Sequence, residues 1–378
     1  MDMKDSVTKL SVSVAFILLA STLALAEEAF NAVESEKIPG ILRTISNQSK
    51  QNFEKIHTWQ GELGVSRHSV DRGENAKETF ETLTDAVGPR PNEVDELTSS
   101  RIIFKCDLDK GLSYSKVSRE TPTRYFDAAD GRDLGTKSET RCESRIVTDE
   151  YRLSAEPSTR WKGEVVERKA TKEKIDKDDL SSKRLQPAYL SKYIFDIESQ
   201  VWHIYPRIAE IIEEKGEYVI DGLAPKVEQR TISGDLQYRI RLPFKLNRFD
   251  INNVWVTKIF SADAGYNMIS SERTSADGGK LMQQESMEYE KINDVCVPIR
   301  RTKDTYDFRD FTLRVHEENV FKNVRINEAI PSETFTYKNL GLESGDKFVD
   351  KIAGKEYKYQ DANLVPIAEP NNPPQQVK

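Results

Sequence analysis

The strongest constraint on the fold is a regular alternation of apolar and polar residues within short segments that turn residues separate. The clearest segment covers seven residues: Leu236, Gln237, Tyr238, Arg239, Ile240, Arg241 and Leu242. Successive side chains of a β-strand point to opposite faces, so this alternation predicts a strand with one buried face and one solvated face. Similar segments follow up to residue 324, and Gly265 and Asn293-Asp294 lie among the turns between them. Strands joined by short turns predict an antiparallel sheet.

The same criteria predict strands along most of the chain. The predicted strands are residues 58–66, 101–107, 112–117, 144–153, 159–166, 217–221, 229–232, 236–242, 254–260, 266–274, 280–292, 295–305 and 311–324. Apolar residues recur at helical spacing only in residues 36–56 and 187–215, which predicts two helices. Pro39 fits an early position of the first helix. One large β-dominated domain with polar inserts therefore accounts for the length better than two domains.

The N-terminus has the pattern of an export signal. Residues 10–26 form an apolar run that ends in Ala24-Leu25-Ala26 and is followed by Glu27 and Glu28. Small residues before a sudden change to charge are typical of a signal-peptidase site, which predicts cleavage near Ala26. An uncleaved N-terminal anchor is the alternative. The predicted location is the periplasm or another exported compartment.

Composition excludes several classes of protein. The 378 residues include 56 basic and 63 acidic residues, and this net charge of −7 argues against a nucleic-acid-binding surface. No second apolar run approaches the roughly 20 residues that a spanning helix needs, which excludes a polytopic membrane protein. Aromatic residues make up 9% of the chain, more than a fully disordered chain would have.

The sequence contains no recognisable catalytic, metal or cofactor motif. Cys106, Cys142 and Cys296 include no Cys-x-x-Cys pair; a bridge from Cys106 to Cys142 and buried free thiols both stay open. Glu288 and Glu290 lie on one parity of a predicted strand, as ordinary alternation requires. The prediction is a protein that is not an enzyme, with no catalytic residues, no metal ligands and no cofactor.

Three short stretches in the C-terminal half resemble one family when they are taken together. They are Val254-Trp255-Val256, Ala264-Gly265-Tyr266-Asn267, and the run from Tyr289 to Asn293-Asp294-Val295-Cys296-Val297-Pro298. This pattern resembles the LolA/LolB-like superfamily of periplasmic lipoprotein carriers, in particular an exported branch of it. The resemblance implies a mainly β (α+β) fold: a curved, incompletely closed antiparallel β-sheet, or half-barrel, with helices packed on the concave side.

The resemblance also implies a domain organisation. After the signal peptide at residues 1–26, a LolA-like antiparallel β domain is expected over residues 27–327, with polar inserts near 71–99 and 167–186. Residues 328–368 are expected to be a C-terminal extension. The Pro/Asn/Gln-rich residues 369–378 are expected to be a disordered tail.

A fold of this family implies an apolar pocket for acyl chains. The candidate pocket residues are Trp59, Leu63, Phe104, Tyr151, Trp161, Tyr238, Ile240 and Trp255. The predicted function is an exported, non-enzymatic binding protein that shields a lipid or a lipoprotein acyl chain. The alternative is a structural or interaction module of the cell envelope without a ligand cavity. The expected partners are a lipid or acyl-chain ligand and an envelope protein, with no nucleic acid, and the chain is expected to be monomeric.

Overall fold

A computed structural model describes most of the chain. The described residues are 29–72, 93–126, 133–148, 150–159, 165–174, 196–248, 251–276, 279–307 and 310–367. The predicted signal peptide, Trp161 and the predicted tail at residues 369–378 lie outside them.

The described residues form two α-helices and seventeen strands. The helices are α1 (Ile38–Glu54) and α2 (Asp196–Lys215). The strands are β1 (Asn31–Ala32), β2 (Thr58–Arg72), β3 (Glu93–Asp107), β4 (Leu112–Phe126), β5 (Asp133–Val147), β6 (Tyr151–Thr159), β7 (Val165–Lys174), β8 (Lys226–Ile232), β9 (Asp235–Arg248), β10 (Ile251–Ser261), β11 (Asn267–Ser275), β12 (Leu281–Ile292), β13 (Val295–Tyr306), β14 (Leu313–Ile326), β15 (Lys347–Asp350), β16 (Lys355–Gln360) and β17 (Asn363–Pro366).

All of these strands belong to one curved sheet that does not close. Their order across the sheet is β1-β8-β9-β10-β11-β12-β13-β14-β2-β3-β4-β5-β6-β7-β15-β16-β17. Neighbouring strands are antiparallel except β7 and β15, which are parallel. β14 returns to pair with β2, so two meanders join side by side at the β2–β14 pair. The predicted mainly β, incompletely closed sheet is confirmed.

The two helices pack on one face of the sheet, as predicted, and they also pack against each other. A helix cluster of buried residues joins them to strands β8–β12: Ile38, Leu42, Ile45, Val201, Tyr205, Ile208, Ala209, Val227, Ile240, Leu242, Phe260, Met268 and Met287. The helical contributors recur three, four or seven positions apart, so each helix presents one apolar stripe to the sheet. At the exposed side of the helix pair, the Arg43 guanidinium donates two hydrogen bonds to the Glu213 carboxylate.

Two further clusters fill the rest of the inner face. The aromatic cluster lies around the β2–β14 pair and consists of Phe53, Ile56, Trp59, Leu63, Ile102, Phe104, Cys106, Val117, Val295, Val297, Phe321 and Ile326. The C-terminal cluster contains Ile146, Leu153, Ala155, Ala170, Ile330, Phe335, Leu340, Leu342, Phe348 and Tyr359. Residues after Asn327 thus supply much of the C-terminal cluster, and they add three strands to the sheet.

Polar side chains fix α1 to the turns of the sheet. The buried Asn52 side chain accepts a hydrogen bond from the Cys296 backbone N–H (2.9 Å) and donates one to the Cys296 carbonyl (2.8 Å). Ser49 donates to the Asn267 side-chain oxygen (2.9 Å) and accepts from the Trp202 indole N–H (3.1 Å). Gly265 has a positive φ of 69°, and a Cβ there would lie 3.1 Å from the Asn52 amide oxygen. The turn motifs near Gly265 and Cys296 therefore form the docking site of α1.

Three predicted strands differ from the structure. Residues 159–166 are not one strand, because Thr159 ends β6, Val165 begins β7, and these two residues pair in antiparallel register. Residues 144–153 are divided between β5 and β6, because the Thr148 hydroxyl accepts hydrogen bonds from the Glu150 and Tyr151 N–H groups and closes a turn. Residues 217–221 form no strand. Asp221 and Gly222 both have positive φ, and this tight turn leaves only an isolated bridge between Ile220 and Leu223.

The predicted polar inserts are partly strand. β2 continues through Arg72 and β3 begins at Glu93, so residues at both ends of the stretch 71–99 belong to a long hairpin. Residues 167–174 belong to β7. Charged residues are compatible with a strand whose outer face or far end is in contact with water. Because these segments contain so many charged residues, the apolar–polar alternation did not predict strands there. The thiols of Cys106, Cys142 and Cys296 are free in the structure.

We expect Asn52→Ala to lower the free energy of unfolding by about 2–4 kcal/mol, because two buried backbone groups of Cys296 lose their partner. Asn47→Ala is the matched control, since Asn47 is exposed on the same helix; its effect should stay within about 0.5 kcal/mol. Urea denaturation of both variants measures the difference. Equal losses would show that Asn52 does not anchor the helix.

Candidate functional site

An open cavity of about 880 Å³ lies on the inner face of the sheet beside α2. Strands β9–β14 and β2 form its floor, and α2 forms one wall. Its lining residues are Arg67, Ile204, Tyr205, Leu242, Phe244, Lys245, Val254, Val256, Lys258, Met268, Ser271, Arg273, Gln283, Glu285, Arg301, Lys303, Thr305, Val315 and Glu317. The cavity therefore occupies the part of the inner face between the helix pair and the β2–β14 pair.

The side of the cavity next to α2 is apolar. Ile204 and Tyr205 on α2 face the strand residues Leu242, Val254 and Met268. Leu242 and Met268 also belong to the helix cluster, and Phe244 and Ile204 pack against it. Burial raises the pKa of the Tyr205 phenol, which keeps this side chain neutral. This wall is a continuation of the hydrophobic core that the helices leave uncovered.

The floor of the cavity carries a row of charges across successive strands. Neighbours in this row are cross-strand partners: Lys258, Ser271, Glu285, Lys303, Glu317 and Arg67, on β10, β11, β12, β13, β14 and β2. Directly opposed residues share a face, and their Cβ atoms lie about 4.5–5.5 Å apart. Each carboxylate of the row thus stands beside a cationic side chain on the inner face of the sheet.

A buried ion pair holds the centre of this floor. The Arg301 Nε donates to the Glu285 Oε1 at 2.5 Å, and these side chains are only 6% and 4% exposed. The Arg301 Nη1 lies 3.4 Å from the Glu317 Oε1, which also accepts a hydrogen bond from the Asn319 amide at 3.1 Å. Both carboxylates of the cavity are therefore held by Arg301.

Three other cations of the lining have no such partner. No salt bridge or side-chain hydrogen bond joins Arg67, Arg273 or Lys303 to another residue in the described ranges. Burial lowers the pKa of the Lys303 ammonium; Arg301 and Arg273 lower it further, and the two carboxylates of the floor act in the opposite direction. The cavity thus combines an apolar wall with unneutralised positive charge.

The predicted pocket residues fall into separate parts of the structure. Trp59, Leu63 and Phe104 are fully buried in the aromatic cluster, where the Trp59 and Phe104 ring centroids are 5.7 Å apart. Ile240 belongs to the helix cluster and Tyr238 packs against it, whereas Tyr151 packs against the C-terminal cluster. Trp255 lies on the opposite parity of β10 from the cavity residues, beneath the Arg241 guanidinium at 4.6 Å. The structure places none of these seven on the lining of the 880 Å³ cavity.

The charged floor was missed because alternation assigns charged residues to the solvated face. The sequence nevertheless contains a weaker indication of polar residues on the inner face. On β14, Glu317 and Asn319 share a parity with Val315 and the buried Phe321, and Glu285 shares one with the buried Met287. Charged residues on the apolar parity of neighbouring strands therefore indicate a polar site on the inner face.

A smaller cleft of about 460 Å³ lies at the C-terminal end of α1, between the turns that hold Asn52. Cys296 lines it, but its thiol is within 3.4 Å of the Asp263 carbonyl, and burial raises its pKa. The residues of this cleft therefore serve to hold the C-terminal end of α1 against the turns of the sheet. Among the described residues, no group of three or more His, Cys, Asp or Glu side chains could hold a metal ion, and neither helix is long and apolar enough to cross a membrane.

Comparison with known proteins gives only distant structural likenesses. No family model matches the chain, and no curated protein sequence matches it. One similar solved structure is a DUF1329 family protein from Desulfovibrio piger, with 8% identity and a TM-score of 0.29 over 79% of this chain and 98% of that chain. Another is a domain from Vibrio parahaemolyticus described as an outer membrane lipoprotein-sorting protein, with 8% identity and a TM-score of 0.30 over 81% and 99% of the two chains. This second neighbour is of the class that the sequence resembles, and at such scores neither likeness assigns a function.

We expect Arg301→Met to lower the free energy of unfolding by about 3–5 kcal/mol, because it leaves Glu285 buried without its counter-charge. Arg300→Met is the control on the opposite face of the same strand. The Arg300 side chain is 49% exposed and pairs with Glu318, so its loss should cost less than about 1 kcal/mol. Thermal and urea unfolding measure both; similar losses would contradict a structural role for the buried pair.

Proposed function

We propose that this chain is an exported, non-enzymatic binding protein that shields the hydrophobic part of a ligand, a lipid or a lipoprotein acyl chain, in the cavity beside α2. The observation that supports this most directly is the apolar wall, which leaves core side chains such as Leu242 and Val254 facing an open space. Ligand cavities in proteins have volumes of about 300–1,000 Å³, and this cavity of about 880 Å³ is within that range.

Burial of a hydrocarbon chain would supply the binding energy. Each methylene group moved from water to an apolar surface contributes about 0.8 kcal/mol, so ten such groups would contribute on the order of 8 kcal/mol before the cost of immobilising the chain. The wall is built from packed strands and a helix, so it is already formed before the ligand arrives. A preformed wall reduces the ordering cost that binding has to overcome.

The polar groups of the cavity favour binding over catalysis. Glu285 and Glu317 both interact with the Arg301 guanidinium, an arrangement that fixes the floor of the cavity. Export rests on the N-terminal pattern that ends at Ala26. Delivery of a lipid also requires a donor or acceptor in the envelope, so a protein partner there is part of the proposal.

Lipid bound to the protein tests the proposal directly. Protein purified without detergent should release lipid into an organic extract, as detected by mass spectrometry, and the emptied protein should bind the fluorescent apolar probe N-phenyl-1-naphthylamine. Repeated preparations that contain no lipid and bind no probe would overturn the proposal and would favour a structural module of the envelope.

We expect Val256→Trp to weaken probe binding about tenfold or more, because Val256 lines the cavity and the larger ring would occupy it. Thr257→Trp is the matched control, since Thr257 is the next residue of β10 and points to the other face. Fluorescence titration gives both dissociation constants. If the two variants bind the probe equally well, the cavity beside α2 is not the binding site.

A further inference from the structure

The charge of the cavity is opposite to that of the whole chain. The lining contains six basic side chains and two acidic ones: Arg67, Lys245, Lys258, Arg273, Arg301, Lys303, Glu285 and Glu317. The chain as a whole has a net charge of −7. Of the six cations, Arg301 is buried, Lys258 and Lys303 are half-buried, and the other three are exposed at the rim. A cavity that served only hydrocarbon would gain nothing from this excess of cations, because a charge partly removed from water has a free-energy cost.

Three of the cations remain available to a ligand. Both acidic groups interact with Arg301, whereas Arg67, Arg273 and Lys303 form no salt bridge or hydrogen bond within the described ranges. Arg273 is on β11 and Lys303 is on β13, and these strands are the two neighbours of β12. Glu285 and Glu317 flank Lys303 on the neighbouring strands, but both bind Arg301, and among the described residues no carboxylate forms an ion pair with Lys303 or Arg273.

The apolar wall and these cations are adjacent. Val254 and Val256 are on β10, Arg273 is on β11 and Lys303 is on β13. Neighbouring strands are about 4.8 Å apart, so the distance from β10 to β13 across the floor is about 14 Å. One molecule of modest length could therefore contact both regions at once.

We propose that the ligand is an amphiphile with an anionic head group, which Lys303 and Arg273 bind while its hydrocarbon chain lies along the apolar wall. This inference rests on the proposed function and adds the chemistry of the head. A phosphate or a carboxylate provides the oxygen acceptors that guanidinium and ammonium groups bind in charge-assisted hydrogen bonds. Such bonds are stronger in a partly desolvated cavity than in water.

The energetics of Lys303 support a role in binding. Its ammonium is partly buried, and its own fold provides no direct counter-ion, so the charge opposes folding. The pKa of Lys303 is lower in the folded state than in the unfolded state. The unfolded chain therefore binds more protons at alkaline pH, and stability rises with pH as the side chain loses its proton. Residues that reduce stability in this way are typical of functional sites.

The test compares two ligands that differ only in the head group. Oleoyl lysophosphatidic acid carries a phosphate, 1-oleoylglycerol has the same chain without it, and inorganic phosphate has the head alone. For the double variant Lys303→Met/Arg273→Met we expect binding of the lysophosphatidic acid to weaken about tenfold or more. Binding of 1-oleoylglycerol should change by less than about twofold, and the midpoint of thermal unfolding should stay equal or rise.

The control variant Arg300→Met/Lys322→Met removes two exposed cations from β13 and β14 and should bind both lipids as the unmodified protein does. Equal losses for the two lipids in the double variant, or no loss for either, would overturn the anionic head group but leave the proposed function intact. Inorganic phosphate that binds as tightly as the lysophosphatidic acid would also overturn the inference, because it would indicate a site for a free anion. Failure of both lipids to bind the unmodified protein would instead contradict the proposed function.

Discussion

The position of α1 determines how much of the inner face is open, and one asparagine fixes that position. Asn52 uses both ends of its side-chain amide to bind the backbone of Cys296, where the partners are shielded from water. Any shift of the helix would leave two backbone groups unsatisfied. α2 packs on α1 and is joined to it through Ser49, Trp202 and Arg43. The space that becomes the cavity is therefore bounded by a helix pair that cannot slide over the sheet without breaking buried hydrogen bonds.

Local patterns predicted the strands but not all of their partners. Alternation identified β3, with Ile102 and Phe104 on its buried face, and the hairpin at Asn293-Asp294, whose positive φ values of 50° and 61° suit a two-residue turn. The β2–β14 pair and the parallel β7–β15 pair join segments far apart in sequence, and no local pattern encodes such partners. The predicted pocket residues follow from the expectation that one parity of each strand forms the concave face. The strongest apolar residues fill the closed clusters, whereas the cavity lies where charged side chains interrupt the inner face.

The floor of the cavity therefore combines two different uses of charge. Arg301 binds both Glu285 and Glu317 and stabilises the floor. Lys303 and Arg273 have no ion-pair partner among the described residues, and the partial burial of the Lys303 ammonium opposes folding. An inner face selected for stability alone would have an apolar residue at the half-buried position of Lys303. The sheet supplies enough buried surface elsewhere, in three separate clusters, to tolerate this local loss.

The pairing of β14 with β2 affects the order in which the strands of the sheet pair during synthesis and folding. β2 is made early, yet its edge stays without this neighbour until more than two hundred further residues have been synthesised, because Phe321 pairs with Leu63. Contacts of such long sequence separation form late, and an unpaired strand edge can associate with other chains in the meantime. Arg67 and Glu317 meet across the same seam, so the cavity is complete only when the seam is closed. Cargo that enters the cavity would then favour the closed seam by mass action, and folding and loading would be coupled.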